Sequence, residues 1–159
     1  MACGIGSTDL AAVMKTGMIW LKVPETIRII CNGVLQEGVT AKDLILYLVG
    51  KVTISGATYQ SVEFKGEAFE NMTLASRMSV ANMIAEMGGK TGFIHPKGLQ
   101  LDYDFEAITA DKNATYSKTF EFDISGLEPQ ISVPESPDNV ENLGTVSYTH
   151  LTLPTTPYV

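Results

Sequence analysis

The residues of this sequence whose types and spacing could do chemistry lie in one stretch, RMSVANMIAEMGGKTG, residues 77–92. Asn82 and Glu86 are four residues apart, so a helix over 73–88 would present both on one face together with Met78. A carboxylate among Met, Ile, Ala and Val must be paired, protonated or in contact with a ligand. An ordinary surface glutamate near a helix end is the alternative, and spacing alone favours it.

Two other motifs could carry chemistry but are weaker. The turn GIGST near the N-terminus could bind a phosphate at the start of a helix. It lacks the third glycine of the dinucleotide fingerprint, so a structural turn is the better interpretation. His95 follows a short strand and could act as a base. Since no Asp or Cys partner stands at a recognisable spacing, a structural role is favoured for His95 as well.

The cysteines do not predict a metal centre. Cys3 and Cys31 are far apart and lie in different contexts. A disulfide framework is therefore not expected, and a reducing, cytoplasmic compartment fits better. Each cysteine is interpreted as a small buried hydrophobic residue. Two cysteines by themselves cannot supply the four-thiolate ligand set of an iron–sulfur cluster, nor its three-cysteine variant.

Composition excludes two classes of partner. The 159 residues carry a net charge of −7, and the 11 basic residues form no stripe. Nucleic acid is therefore not an expected partner. Apolar runs fall short of the roughly 18 residues that a membrane-spanning helix needs, and no signal-peptide layout is seen. The prediction is a globular cytoplasmic domain with enough apolar residues for a core.

Strand and helix patterns alternate along the chain. Helices are predicted over 7–17, from a Thr40 cap over 40–52, and over 73–88, from their apolar spacing and their glycine ends. Strands are predicted at 18–23, 26–33, 60–69, 91–95 and 119–125. Residues 97–118 are predicted to be irregular, and 128–139, rich in proline, to be more linker than core. This order indicates an α/β fold with a mostly buried sheet.

The C-terminal tail, residues 146–159, does not continue this pattern. One reading frame of a transposase mosaic-end sequencing adapter translates to Val-Ser-Tyr-Thr-His-Leu-Thr-Leu-Pro-Thr, the order found at 146–155. We therefore expect the native fragment to occupy 1–145 and the tail to be translated adapter DNA. On this interpretation His150 has no function, and the tail does not belong to the native fold.

Three segments together resemble the aconitase superfamily: GIGSTDLAAVMKTGMIWLKVPETIRI, AKDLILYLVGKVTISGATYQSVEFKGEAFENM and RMSVANMIAEMGGKTG. Within it the chain is most similar to the isopropylmalate dehydratase large subunits, with the homoaconitases close behind. The resemblance implies a three-layer α/β/α domain, here partial. It also implies a hydro-lyase that uses a [4Fe–4S] cluster as a Lewis acid, in leucine biosynthesis for the isopropylmalate enzymes.

The resemblance assigns roles to two residues of this chain. The family's Asn-x-x-x-Glu matches Asn82 and Glu86, so Asn82 is expected to hydrogen-bond near the cluster and Glu86 to meet the substrate hydroxyl or water. The family's Asp-Ser-His-Thr motif precedes the region matched here. Its cluster cysteines, in a Cys-Thr-Asn segment and a Cys-x-x-Cys, follow it, so neither Cys3 nor Cys31 is assigned as a ligand.

The chain is therefore expected to be an incomplete fragment of a large subunit. Its expected partners are a dehydratase small subunit and a small hydroxy-dicarboxylic or tricarboxylic acid substrate. By itself the fragment should be inactive and should bind no cluster. Surfaces meant for the rest of the subunit should cause poor solubility or self-association. A non-catalytic α/β binding module is the alternative, and the choice between isopropylmalate and homocitrate stays open.

Overall fold

The computed structural model describes residues 2, 3 and 5–146, and its centre is a five-stranded sheet. The strands of this sheet are Ala2–Cys3 (β1), Thr26–Asn32 (β2), Ser61–Lys65 (β3), Thr91–Ile94 (β4) and Lys118–Asp123 (β5). Two further strands, Gln130–Ser132 (β6) and Val140–Asn142 (β7), lie outside it. The helices are Ser7–Thr16 (α1), Ala41–Val52 (α2), Glu67–Glu70 (α3) and Leu74–Asn82 (α4), with 3-10 helices at Met83–Met87 and Leu143–Thr145.

The sheet has the order β1-β4-β3-β2-β5, and β6 pairs with β7 in a separate hairpin. Strands β2 to β5 are parallel, whereas β1 pairs antiparallel with β4. Helices connect β2 to β3 and β3 to β4, because a parallel pair needs a long crossover, whereas a long irregular segment connects β4 to β5. The predicted α/β class, a parallel sheet flanked by helices, is confirmed. Among the described residues, none of the helices is long and apolar enough to cross a membrane.

The core lies between the sheet and helices α2 and α4. Strand β2 alternates, with Ile27, Ile29 and Cys31 fully buried on one face. These three residues belong to the same hydrophobic core as Leu44 and Leu48 of α2. The other side of β2 is polar: the guanidinium carbon of Arg28 lies 3.5 Å from the centre of the Tyr116 ring. Next to it, Glu63 of β3 is 3% exposed and pairs with Lys65 at 2.9 Å.

Helix α2 begins where the sequence predicts, at the Thr40 cap. The Asp43 carboxylate accepts hydrogen bonds from the Thr40 backbone N–H at 2.8 Å and from its hydroxyl at 2.6 Å. Its second oxygen accepts from the Gln130 N–H at 2.8 Å. One carboxylate thus caps the helix and holds the β6–β7 hairpin against it. The hairpin comes so close that a Cβ on Gly50 would lie 3.1 Å from the Val140 Cβ.

Replacement of Asp43 by alanine is expected to lower the free energy of unfolding by about 1–2 kcal/mol near neutral pH, as loss of a helix cap does. Burial raises the pKa of the Asp43 carboxyl, but the hydrogen bonds from Thr40 and Gln130 outweigh it and leave the pKa below its ordinary value. The carboxylate therefore stabilises the fold above its unfolded pKa of about 3.9. This contribution is lost as the pH falls through the lower folded pKa.

Urea denaturation at several pH values measures this effect. The gap between wild type and Asp43→Ala should shrink below about pH 4. Glu37→Ala is the control, since Glu37 is also a carboxylate near the start of α2 but is exposed. It should change stability little at any pH. A gap for Asp43→Ala that persists unchanged in strong acid would contradict the assignment.

Three sequence predictions are corrected by the structure. Residues 18–23 form no strand; Trp20 in this segment is 85% exposed, because no sheet edge receives the segment. Residues 128–139 are not a linker but include β6, which contacts α2. The strand predicted over 60–69 ends at Lys65, because the chain turns at Gly66, whose φ is 110°, and continues as helix α3. Apart from Val146, the tail predicted to be adapter sequence lies outside the described residues, so that boundary stays a prediction.

Candidate functional site

The helix predicted over 73–88 consists of two parts with different geometry. Thr73 caps α4 by accepting the Ser76 N–H, and the α-helix ends at Asn82. The chain continues as a 3-10 helix over Met83–Met87 and stops at Gly88, whose φ is 77°. Four residues of an α-helix turn through about 400°, but four of a 3-10 helix turn through about 480°. Asn82 and Glu86 therefore diverge, and the single face predicted for them is not formed.

Both candidate side chains are exposed, which corrects the expectation of an apolar surrounding. Glu86 lines a shallow hollow of about 570 Å³ together with Lys42 and residues 132–137 of the hairpin. The Lys42 ammonium lies 3.0 Å from the Met83 sulfur, at the same hollow. One cation, Lys42, and two carboxylates, Glu86 and Glu135, thus line this hollow.

Asn82 lines a different hollow, of about 380 Å³. One wall is α4 itself, including Leu74 and Met78. The other is the irregular segment after β4, including Leu101 and Ile108. This hollow is largely apolar. Within the described residues, the structure therefore does not bring Asn82 and Glu86 into one site, and their roles stay predictions.

Arg77 organises the region, although it is not among the site residues predicted from the sequence. Its side chain is 4% exposed and donates to the carbonyls of Met72 at 3.1 Å and of Glu70 and Lys97 at 2.9 Å, and also to that of His95. These bonds connect α4 to the ends of α3 and β4. The available signal was an arginine three residues before Val80 on an apolar helix face, a position where a charge needs partners.

His95 stands at the carboxyl end of β4, where α/β sheets commonly bind ligands. Its Nδ1 accepts the Lys97 backbone N–H at 3.0 Å, so this nitrogen holds the loop. The ring lines a hollow of about 300 Å³ beside Lys65 and Glu70. The hydrogen bond from the Lys97 N–H agrees with the structural role that the sequence favours for His95.

Cys31 does not fit the role of a cluster ligand. Its side chain is fully buried in the core, and burial raises the pKa of the thiol to about 12. An iron–sulfur ligand must be a thiolate, which this environment disfavours. Among the residues that the structure describes, no three His, Cys, Asp or Glu side chains are grouped so as to hold a metal ion. The described residues thus do not form a cluster site.

A model of the aconitase family (aconitate hydratase) matches residues 1–154. The chain belongs to the aconitase family. It is 43% identical over 157 residues to the probable methanogen homoaconitase large subunit of Methanosarcina mazei. It is also 43% identical over 145 residues to the 3-isopropylmalate dehydratase large subunit of Halothermothrix orenii, and equally to large subunit 1 of Pyrococcus furiosus. The predicted resemblance is thereby confirmed.

This aconitase-family chain spans a minority of its relatives' length. The match covers 94% of the chain but 40% of the M. mazei protein. It covers 87% of the chain and 34% of the H. orenii protein. What the whole relatives do therefore comes to this chain as a proposal.

Anaerobic reconstitution of the 159-residue chain with iron and sulfide is expected to give no stoichiometric cluster. The reason is that Cys31 is a buried thiol and the described residues hold no ligand group. Visible absorbance and iron-to-protein ratio provide the measurement. The whole H. orenii large subunit, treated in parallel, is the positive control. One cluster per chain would contradict the prediction.

Proposed function

We propose that this chain is part of the large subunit of a hydro-lyase that interconverts 2-isopropylmalate and 3-isopropylmalate in leucine biosynthesis. The observation that carries the proposal is the 43% identity to two 3-isopropylmalate dehydratase large subunits over 87% of the chain. Identity at this level along nearly the whole chain supports a common chemistry. The whole enzyme would work with a separate small subunit in the cytoplasm.

Within this proposal Glu86 is the proton partner of the substrate hydroxyl. Its carboxylate is exposed at a hollow, so substrate and water can reach it. The Lys42 ammonium at the same hollow would pair with one carboxylate of the substrate. Asn82 would hydrogen-bond near the [4Fe–4S] cluster. Because the described residues do not fit the cluster, its ligands would come from elsewhere in the whole subunit.

Homoaconitase is the second candidate. The M. mazei homoaconitase large subunit is as similar to the chain, at 43%, as the dehydratase large subunits are. Both activities would use Glu86 as the proton partner on different hydroxy acids. The two candidates therefore differ in the substrate, isopropylmalate or homocitrate.

An assay of a whole subunit decides between them. The matching residues of this chain replace the corresponding region of the H. orenii large subunit, and the product is combined with that protein's small subunit. Isomerisation of 2-isopropylmalate supports the proposal, whereas preference for homocitrate supports the second candidate. A folded, cluster-loaded chimera that is inactive on both would overturn both and favour a binding module. The unmodified H. orenii pair is the control.

A further inference from the structure

The first part of the chain exposes a run of large apolar side chains over residues 5–23, which we call the N-terminal apolar face. Val23 is 88% exposed, Trp20 85% and Met14 81%. Leu10, Met18 and Ile19 are also exposed. Charges within this face are few: Asp9, Lys15 and Lys22. An apolar surface of this kind on a globular domain marks an interaction site.

Helix α1 shows the same lack of cover. It has ten residues and none of them is buried, whereas α2 buries six. An isolated helix of about this length is only marginally stable in water and needs tertiary packing. After α1, the backbone N–H of Lys22 bonds the Tyr59 hydroxyl at 3.2 Å. Beside it, Trp20 and Tyr59 line a hollow of about 550 Å³.

The composition of the face indicates a permanent cover. Transient interfaces are about as apolar as the rest of a protein surface, whereas permanent ones resemble a domain core. More than half of the length of the H. orenii and M. mazei proteins lies outside the match, so ample polypeptide is available within one subunit. We propose that the N-terminal apolar face packs against the part of the same large-subunit polypeptide that lies outside this chain.

The inference rests on the proposed function only in requiring a whole large subunit. Hydroxyl-radical footprinting tests it, because Met14, Met18 and Trp20 are themselves reactive reporters. The 159-residue chain is compared with the H. orenii chimera described above. We expect rapid oxidation of the three reporters in the isolated, diluted chain and at least a several-fold slower oxidation in the chimera. Met87, fully buried in the core, reports whether each sample is folded.

Three results would overturn the inference. Reporters that stay reactive in a chimera with protected Met87 would mean that the rest of the subunit does not cover the face. Protection that is lost on dilution of the chimera would assign the face to a second copy. Protection that appears only when the small subunit is added would assign it to that partner.

Activity is recorded separately, so an inactive chimera with a protected face would count against the proposed function alone. If Met87 is oxidised, the chimera has not folded, and the unmodified H. orenii subunit is footprinted at the aligned positions instead. Reactivity there overturns the inference and protection supports it.

Discussion

Replacement of Glu86 by glutamine in the whole large subunit is expected to lower kcat by about 10²–10⁴-fold, the usual contribution of a positioned acid–base group. Glutamine keeps the size and the hydrogen-bonding capacity of the side chain but cannot exchange a proton. Since Glu86 is exposed at its hollow, the change should leave the fold intact. KM should change little, because the lost interaction belongs to the transition state.

Glu135→Gln is the matched control for this experiment. Glu135 lines the same hollow but lies on the hairpin, outside the Asn-x-x-x-Glu motif. If the hollow merely needs negative charge, both variants should lose similar activity. Steady-state kinetics of the two variants, with melting curves to check folding, make the comparison. A Glu86→Gln enzyme with unchanged kcat would remove Glu86 from the mechanism.

Replacement of Arg77 by methionine is expected to lower the free energy of unfolding by roughly 2–4 kcal/mol. The change removes the donors of four carbonyl groups, and a buried acceptor left without a donor costs about 1–3 kcal/mol. The expected loss in free energy of unfolding is smaller than the summed cost of four unsatisfied carbonyl groups. The reason is that the carbonyls of Glu70, His95 and Lys97 are partly buried and water can reach them. Methionine fills most of the volume, so lost packing contributes little.

Two further variants make the Arg77 result specific. Arg77→Lys keeps the charge but loses the planar fork that reaches several carbonyls, so it should also destabilise. Lys97→Met removes a nearby cation whose ion pair with Glu70 is exposed, and should have little effect. Urea denaturation monitored by circular dichroism provides the measurement. Equal stability of Arg77→Met and wild type would show that the carbonyl contacts do not hold α4 in place.

Local sequence patterns determined much of the fold. The alternation in 26–33 predicted β2, and the apolar spacing after Thr40 predicted α2 with its cap. Gly88 was predicted as the stop of the third helix, and it adopts the positive φ that glycine tolerates. Each of these features depends on residues within a few positions of one another, which is why the sequence reveals them. The family resemblance is visible in the sequence for a similar reason, because contiguous segments carry it.

Other features were decided by contacts between residues that are distant in sequence. The 3-10 geometry before Gly88 accompanies bonds in which Ala57 and Tyr59 donate to the carbonyls of Met87 and Gly88. Helical periodicity alone could not predict that change, which separates Asn82 from Glu86. The carbonyls around Arg77 likewise meet only after α3, α4 and β4 have packed together. The sequence by itself therefore determined the family and the elements with strong local patterns, such as β2 and α2. The tertiary structure decided which side chains share a hollow, because that depends on long-range packing.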